Sequence, residues 1–141
     1  MEWEVQKTRT APTVLVVKDK QKYYIHSKYD PIKEASIWVE GLELDASEKE
    51  LVIIGAGMGY HLNSLAEKYP SSHIHVFEFN YAYMKWLLDN ELLSQIIQNK
   101  NITFPNEKLL TLSFIISSSK FIIYLIICLY KLIHLKYRKK N

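Results

Sequence analysis

Residues 50–80 read ELVIIGAGMGYHLNSLAEKYPSSHIHVFEFN, and the order of features within them decides the fold. The run LVII is short and wholly apolar, as expected of a strand buried on both faces of a parallel sheet. Gly55, Gly57 and Gly59 follow it directly. Beyond Gly59 the period changes to that of a helix. Leu62, Leu65, Ala66 and Tyr69 share one face, and Pro70 marks the stop. The next apolar run, HIHVFEF, carries Glu78 at its end, 19 residues after Gly59. Strand, glycine turn, helix and acid-tipped strand are the opening of a nucleotide-binding βαβ unit.

Each part of that unit has a chemical use. Glycines let the backbone turn sharply and approach a phosphate or ribose, and the following helix N-terminus offers free N–H groups and a positive dipole. An acid at the end of the second strand is placed to accept hydrogen bonds from ribose hydroxyls. The candidate cofactor-binding residues are therefore Gly55, Gly57, Gly59, Tyr60, His61 and Glu78. The competing reading is a tight turn that needs glycine for its own geometry, with Glu78 a solvated strand end. None of three standard cofactor patterns is complete. Tyr60 stands where a dinucleotide fingerprint needs glycine, no Gly-Lys-Ser/Thr occurs, and Ile53 stands where S-adenosylmethionine sites commonly carry an acid.

Upstream, TVLVVK and KYYIHS read as a β-hairpin. Asp30 then caps a helix beginning at Pro31, with Ile32, Ala35, Trp38, Val39 and Leu42 as its apolar face and Gly41 as its stop. Downstream, YAYMKWLLDNELLSQIIQN reads as one or two helices and NITF as a further strand. The fold class is α/β: a hairpin and helix leading into an incomplete Rossmann-like parallel sheet, with an apolar edge bare where the next strand should pair. So few strands and helices bury little surface, and marginal stability is expected.

Residues 109–141 form a second composition. They contain no Gly, Ala, Val, Asp or Glu, whereas those five types fill 32 of the first 108 positions. They carry six basic residues and no acid, a net of +6 against −3 for residues 1–108 (12 Lys and Arg, 15 Asp and Glu). All five missing types have codons that begin with G, so a shifted reading frame of an AT-rich gene explains the gap. The 22 residues from Leu109 to Tyr130 are also long enough for a membrane span. Lys120 in their middle would cost about 2.5–3.5 kcal/mol there, and the basic end opposes the positive-inside tendency. The expected division is a domain over 1–105 and an apolar, helix-like, basic tail over 106–141, frameshift-derived or membrane-like.

Other function classes leave little trace. Cys128 is the sole cysteine, so no disulfide framework or paired zinc spacing exists. MEWEVQKTRT is no signal peptide, which makes a cytoplasmic setting the expectation, with membrane association through 109–130 the alternative. No basic stripe runs through residues 1–108, so nucleic-acid binding is not expected there. His26 and Ser27 read as a strand end capping a turn, or as ligand contacts. His61 reads as a donor to a phosphate or as a first-turn residue beside solvent, and Tyr60 as a base-stacking or a packing side chain. His73 and His75 alternate on one strand at a sheet edge and lack a third metal ligand. Glu34 and Glu40 read as helix-surface acids, and Trp38 and Trp86 as core or interface anchors.

The longer pattern resembles the N-terminal domain of the motility accessory factor (Maf) glycosyltransferases over residues 10–105. That family carries a His-Ser-x-Tyr-x-Pro-x-x-Glu-Ala segment, here His26, Ser27, Tyr29, Pro31, Glu34 and Ala35. It then carries a Gly-x-Gly-x-Gly-Tyr-His turn, here Gly55 to His61, and a strand ending in an acid, here Glu78. The resemblance implies transfer of a nonulosonic, sialic-acid-like sugar from a cytidine-nucleotide donor to Ser or Thr of flagellin, in the cytoplasm. It also implies that the transfer belongs to a larger central domain, pterin diphosphokinase-like and related to sialyltransferase folds. The chain departs from the family near residue 105, so no catalytic residue and no metal are expected in it. The expected ligand is a cytidine sugar nucleotide, with S-adenosylmethionine and a small methyltransferase as the alternative. The expected partners are flagellin in the intact protein and a second copy of the chain. A membrane-anchored binding module is the remaining reading.

Overall fold

The computed structural model describes residues 1–45 and 47–105, and the backbone of 122–125. Strands β1 (Glu2–Gln6), β2 (Thr13–Lys18) and β3 (Gln21–Tyr24) form an antiparallel sheet in that order. The expected hairpin is β2–β3, paired from Leu15↔Tyr24 to Lys18↔Gln21. Its two turn residues, Asp19 and Lys20, have φ of 50° and 63°. Left-handed residues at both positions match the right-handed strand twist, as in type I′ turns. Strand β1 went unread in the sequence. Its residues are mostly exposed, and it pairs with β2 from Glu2↔Val17 to Gln6↔Thr13.

Helix α1 (Pro31–Glu40) starts as expected: the Asp30 carboxylate accepts the Lys33 N–H at 2.9 Å. Arg9 and Thr10 donate to the same carboxylate at 3.0 and 2.8 Å, so the cap also ties down the loop after β1. The buried face is Pro31, Ala35 and Val39, with Trp38 half-buried against it. Ile32 is a correction: it is 46% exposed, because the buried stripe runs at i, i+4, i+8 from Pro31 and Ile32 falls off it.

The parallel sheet has the order β6-β5-β4-β7, formed by β4 (Glu50–Ile54), β5 (His73–Phe77), β6 (Ile102–Thr103) and β7 (Ile122–Leu125). Leu51, Val52 and Ile53 of β4 are fully buried, which is why the run is apolar at every position. Helix α2 (Tyr60–Lys68) returns from β4 to β5, and α3 (Tyr81–Asp89) and α4 (Ser94–Gln98) lead from β5 to β6. Two expectations change here. The outer edge of β4 is not bare, because β7 pairs along it from Leu51↔Ile122 to Ile54↔Leu125. The strand carrying His73 and His75 is not an edge, because β5 is paired on both sides. Of the expected helix-like tail, residues 122–125 are strand, and the rest lies outside the described residues. Among the described residues no helix is long and apolar enough to cross a membrane.

One core joins the two sheets. Val14, Val16 and Ile25 of the hairpin pack in the same cluster as Leu51, Ile53, Leu62 and Leu65. This places the end of β3 directly over the start of α2.

Candidate functional site

Gly55, Gly57 and Gly59 stand at the carboxyl end of β4, at the rim of the parallel sheet, with φ of 96°, 55° and 85°. Left-handed φ at all three explains glycine at alternate positions. Two of them are also required by close packing. A Cβ on Gly57 would lie 2.7 Å from Nε2 of His26, and one on Gly59 would lie 2.5 Å from Cγ1 of Ile96. The bare faces of these glycines are thus filled by the protein's own side chains.

The amides of the turn are likewise engaged. Gly55 N–H donates to the Phe77 carbonyl (2.8 Å), Ala56 N–H to Oε2 of Glu78 (3.0 Å), Met58 N–H to Nε2 of His26 (2.9 Å), and Gly59 N–H to the Ala56 carbonyl (3.0 Å). Four of the five amides from 55 to 59 therefore have internal acceptors. Tyr83 adds a hydroxyl donated to the Gly57 carbonyl at 2.8 Å. Glu78 also accepts Asn80 N–H on Oε1 at 2.8 Å, so one carboxylate joins the turn to the loop before α3. A carboxylate has about four lone-pair directions, and two remain on Glu78.

His26 is the centre of the arrangement. It follows β3, is fully buried, and is held at its backbone by the buried Thr13, which accepts its N–H and donates to its carbonyl. Because Nε2 accepts an amide hydrogen it carries no proton, and the neutral ring holds its proton on Nδ1. That Nδ1–H points at Oε1 of Glu34, 3.3 Å away on α1. Glu34 is thus a partly buried partner of His26 and not the solvated helix-surface acid expected. The His61 ring stacks on His26 with centroids 5.0 Å apart, and Trp38 meets His61 edge-on at 5.0 Å. His61 is 1% exposed, so the reading of it as a first-turn residue beside solvent is corrected.

His26, Glu34 and His61 bring ligand atoms within 4.8 Å of one another, close enough to consider a metal ion. The hydrogen bonding opposes this. A metal on Nδ1 of His26 would move the proton to Nε2, where it would face the Met58 N–H donor-to-donor. The cluster as built holds a proton between His26 and Glu34.

The remaining candidates fall around this centre. Tyr60 donates its hydroxyl to the Pro12 carbonyl at 2.6 Å, its ring lies 5.3 Å from His26, and burial raises its pKa. Ser27 accepts Tyr29 and Asp30 N–H on Oγ, the expected turn cap. Trp86 is half-buried beside Trp3, with centroids 5.9 Å apart. His73 and His75 sit 4.5 Å apart, bonded to Thr103 and Glu50 respectively. Burial first, and then His75, lower the pKa of His73.

Besides a shallow cavity of about 490 Å³ against Glu34 and Trp38, two cavities adjoin the glycine turn and Glu78. One, about 460 Å³, lies between Pro12, Ile32, Gly59, Tyr60, Asn63 and Ile96. The other, about 300 Å³, lies beyond β5 and β6 and has Glu78 in its wall. Thr13 is the member of this cluster that the sequence does not announce, and Glu34, already part of the first motif, differs from expectation in being partly buried against His26. The local signal for Glu34 was its position one turn past Asp30 on the buried side of α1. Compared with protein-family models, curated proteins and solved structures, the chain matches none.

Proposed function

We propose that residues 10–105 are the N-terminal, Rossmann-like domain of a Maf-type flagellin glycosyltransferase. In this reading the domain helps to hold a cytidine sugar nucleotide in the intact enzyme and contributes no catalytic residue. The observation that carries it is the junction of the two sequence motifs. His26 and Glu34 of the first meet Gly57, Met58 and His61 of the second in one buried cluster. Residues 31 and 32 positions apart depend on each other there: the imidazole needs a glycine at 57, and the turn needs an acceptor for Met58 N–H. This supports reading the pair of motifs as one inherited device. Within residues 10–105, the parallel order β6-β5-β4 with helices between successive strands supports the fold half of the proposal, since it follows the 3-2-1 start of doubly wound sheets. Flagellin as acceptor and self-association follow from the same resemblance.

Calorimetric titration of the full chain with CMP and CTP, against GTP as control, tests the ligand. Heat with the cytidine nucleotides and none with GTP is expected. A folded sample that gives no heat with CMP or CTP removes nucleotide binding from the proposal.

A further inference from the structure

The cavity beyond β5 and β6 combines three features. Its wall is apolar, formed by Phe77, Phe79, Met84, Leu88 and Phe104. Three large hydrophobic side chains stay exposed at its mouth: Phe79 at 42%, Leu88 at 43% and Ile97 at 52%. Glu78 is the acid in that wall, fixed by two backbone amides with two lone-pair directions unspent.

We infer that this cavity seats one nucleoside, its base among the apolar side chains and its ribose hydroxyls on Glu78, with the 5′-phosphate off the glycine turn. The inference rests on the nucleotide-binding part of the function proposed above and sharpens where the ligand lies. Size supports a single nucleoside: about 300 Å³ is at the small end of ligand pockets and too little for a dinucleotide. Apolar rings in a wall suit the faces of a base, and a pre-fixed carboxylate suits paired hydroxyl donors. A stray apolar patch would not place a carboxylate at the carboxyl end of the strand beside the glycine turn, where ribose-binding acids stand in such sheets. The phosphate is placed off the turn for the reasons already given. Four of its five amides have internal acceptors, and His26 and Ile96 fill the space over Gly57 and Gly59.

The test is calorimetry on the full chain with cytidine, CMP, adenosine and 2′,3′-dideoxycytidine. Cytidine and CMP are expected to bind with Kd values within about threefold of each other, since the phosphate adds little. Loss of the ribose hydroxyls, or Glu78→Gln, should weaken binding about tenfold or more, the worth of a hydrogen bond to a charged group. Leu88→Trp at the exposed mouth should fill the cavity and weaken binding at least as much, with an unchanged far-ultraviolet spectrum. It covers the case in which Glu78→Gln disturbs the turn. Adenosine binding in place of cytidine, with the same dependence on Glu78, supports the pocket and ends the cytidine reading. CMP binding about tenfold tighter than cytidine, or a Leu88→Trp protein with unchanged Kd, overturns the pocket while leaving cytidine-nucleotide binding intact. No heat from any of the four on a folded sample ends both.

Discussion

At the scale of single residues, the interior of this protein is decided by one imidazole and one missing methyl group. Gly57 carries φ of 55° and has His26 where its Cβ would be. Gly57→Ala therefore combines left-handed strain with overpacking, and should cost about 2–4 kcal/mol in chemical denaturation. His26→Ala removes the acceptor of Met58 N–H and the donor to Glu34 and opens a cavity, for about 2–4 kcal/mol as well. The two changes should not add. With the imidazole gone, an alanine at 57 keeps its strain but loses its clash. The double variant should be about 1 kcal/mol or more better than the sum, and full additivity would mean that ring and glycine do not oppose each other. Asp30 gives a pH test of another kind. The Lys33 amide first, then Thr10 and Arg9, hold its pKa at about 2, below the ordinary 3.8. A depressed acid stabilises the fold fully above pH 3.8, and that contribution is lost as pH falls through about 2. Wild type should be more stable than Asp30→Asn near neutrality, with the gap closing across that acidic window. A gap independent of pH would assign the cap to geometry alone.

At the scale of elements, what was legible followed from local rules. Asp30, Pro31 and Gly41 bracket α1 because capping and proline chemistry act within one turn of chain. The continuous apolar run marked β4, and Leu62, Leu65 and Ala66 marked the buried face of α2, as the structure has them. On α1 an apolar side chain does not by itself mark the buried face. Ile32 is apolar but points outward, while Ala35 is 1% exposed. Ile32→Glu should therefore change stability by no more than about 0.5 kcal/mol, whereas Ala35→Glu should prevent folding by burying an unpaired carboxylate. Equal tolerance at the two sites in thermal melts would reverse the assignment of that face. Strand β1 escaped the reading for the opposite reason. Glu2–Gln6 is largely exposed and its only strong signal is its pairing with β2, which no single stretch of sequence displays.

At the scale of the whole molecule, the part of the site that could not be read is the part made by distant chain segments. Glycines and Glu78 declared themselves through spacing along the chain. The bond from Met58 to His26, with Thr13 behind it and Glu34 beside it, spans 32 residues and two sheets, and only the shared core brings its ends together. That core also sets how the molecule should unfold. Val14, Val16 and Ile25 of the hairpin sheet pack with Leu51, Leu62 and Leu65 of the parallel part, and the imidazole bonds across the same boundary. Each sheet buries its inner face in this shared core, so loss of either removes packing from the other. A chain begun at Pro31, lacking all three antiparallel strands, would expose that packing face and leave Met58 N–H without its acceptor. It should show neither a cooperative melt nor dispersed amide resonances. In the intact chain, hydrogen exchange should release the amides of β2 and β4 with the same free energy, as one cooperative unit. Release of β2 well before β4 would show that the hairpin sheet is an appendage and that the glycine turn keeps its shape without His26.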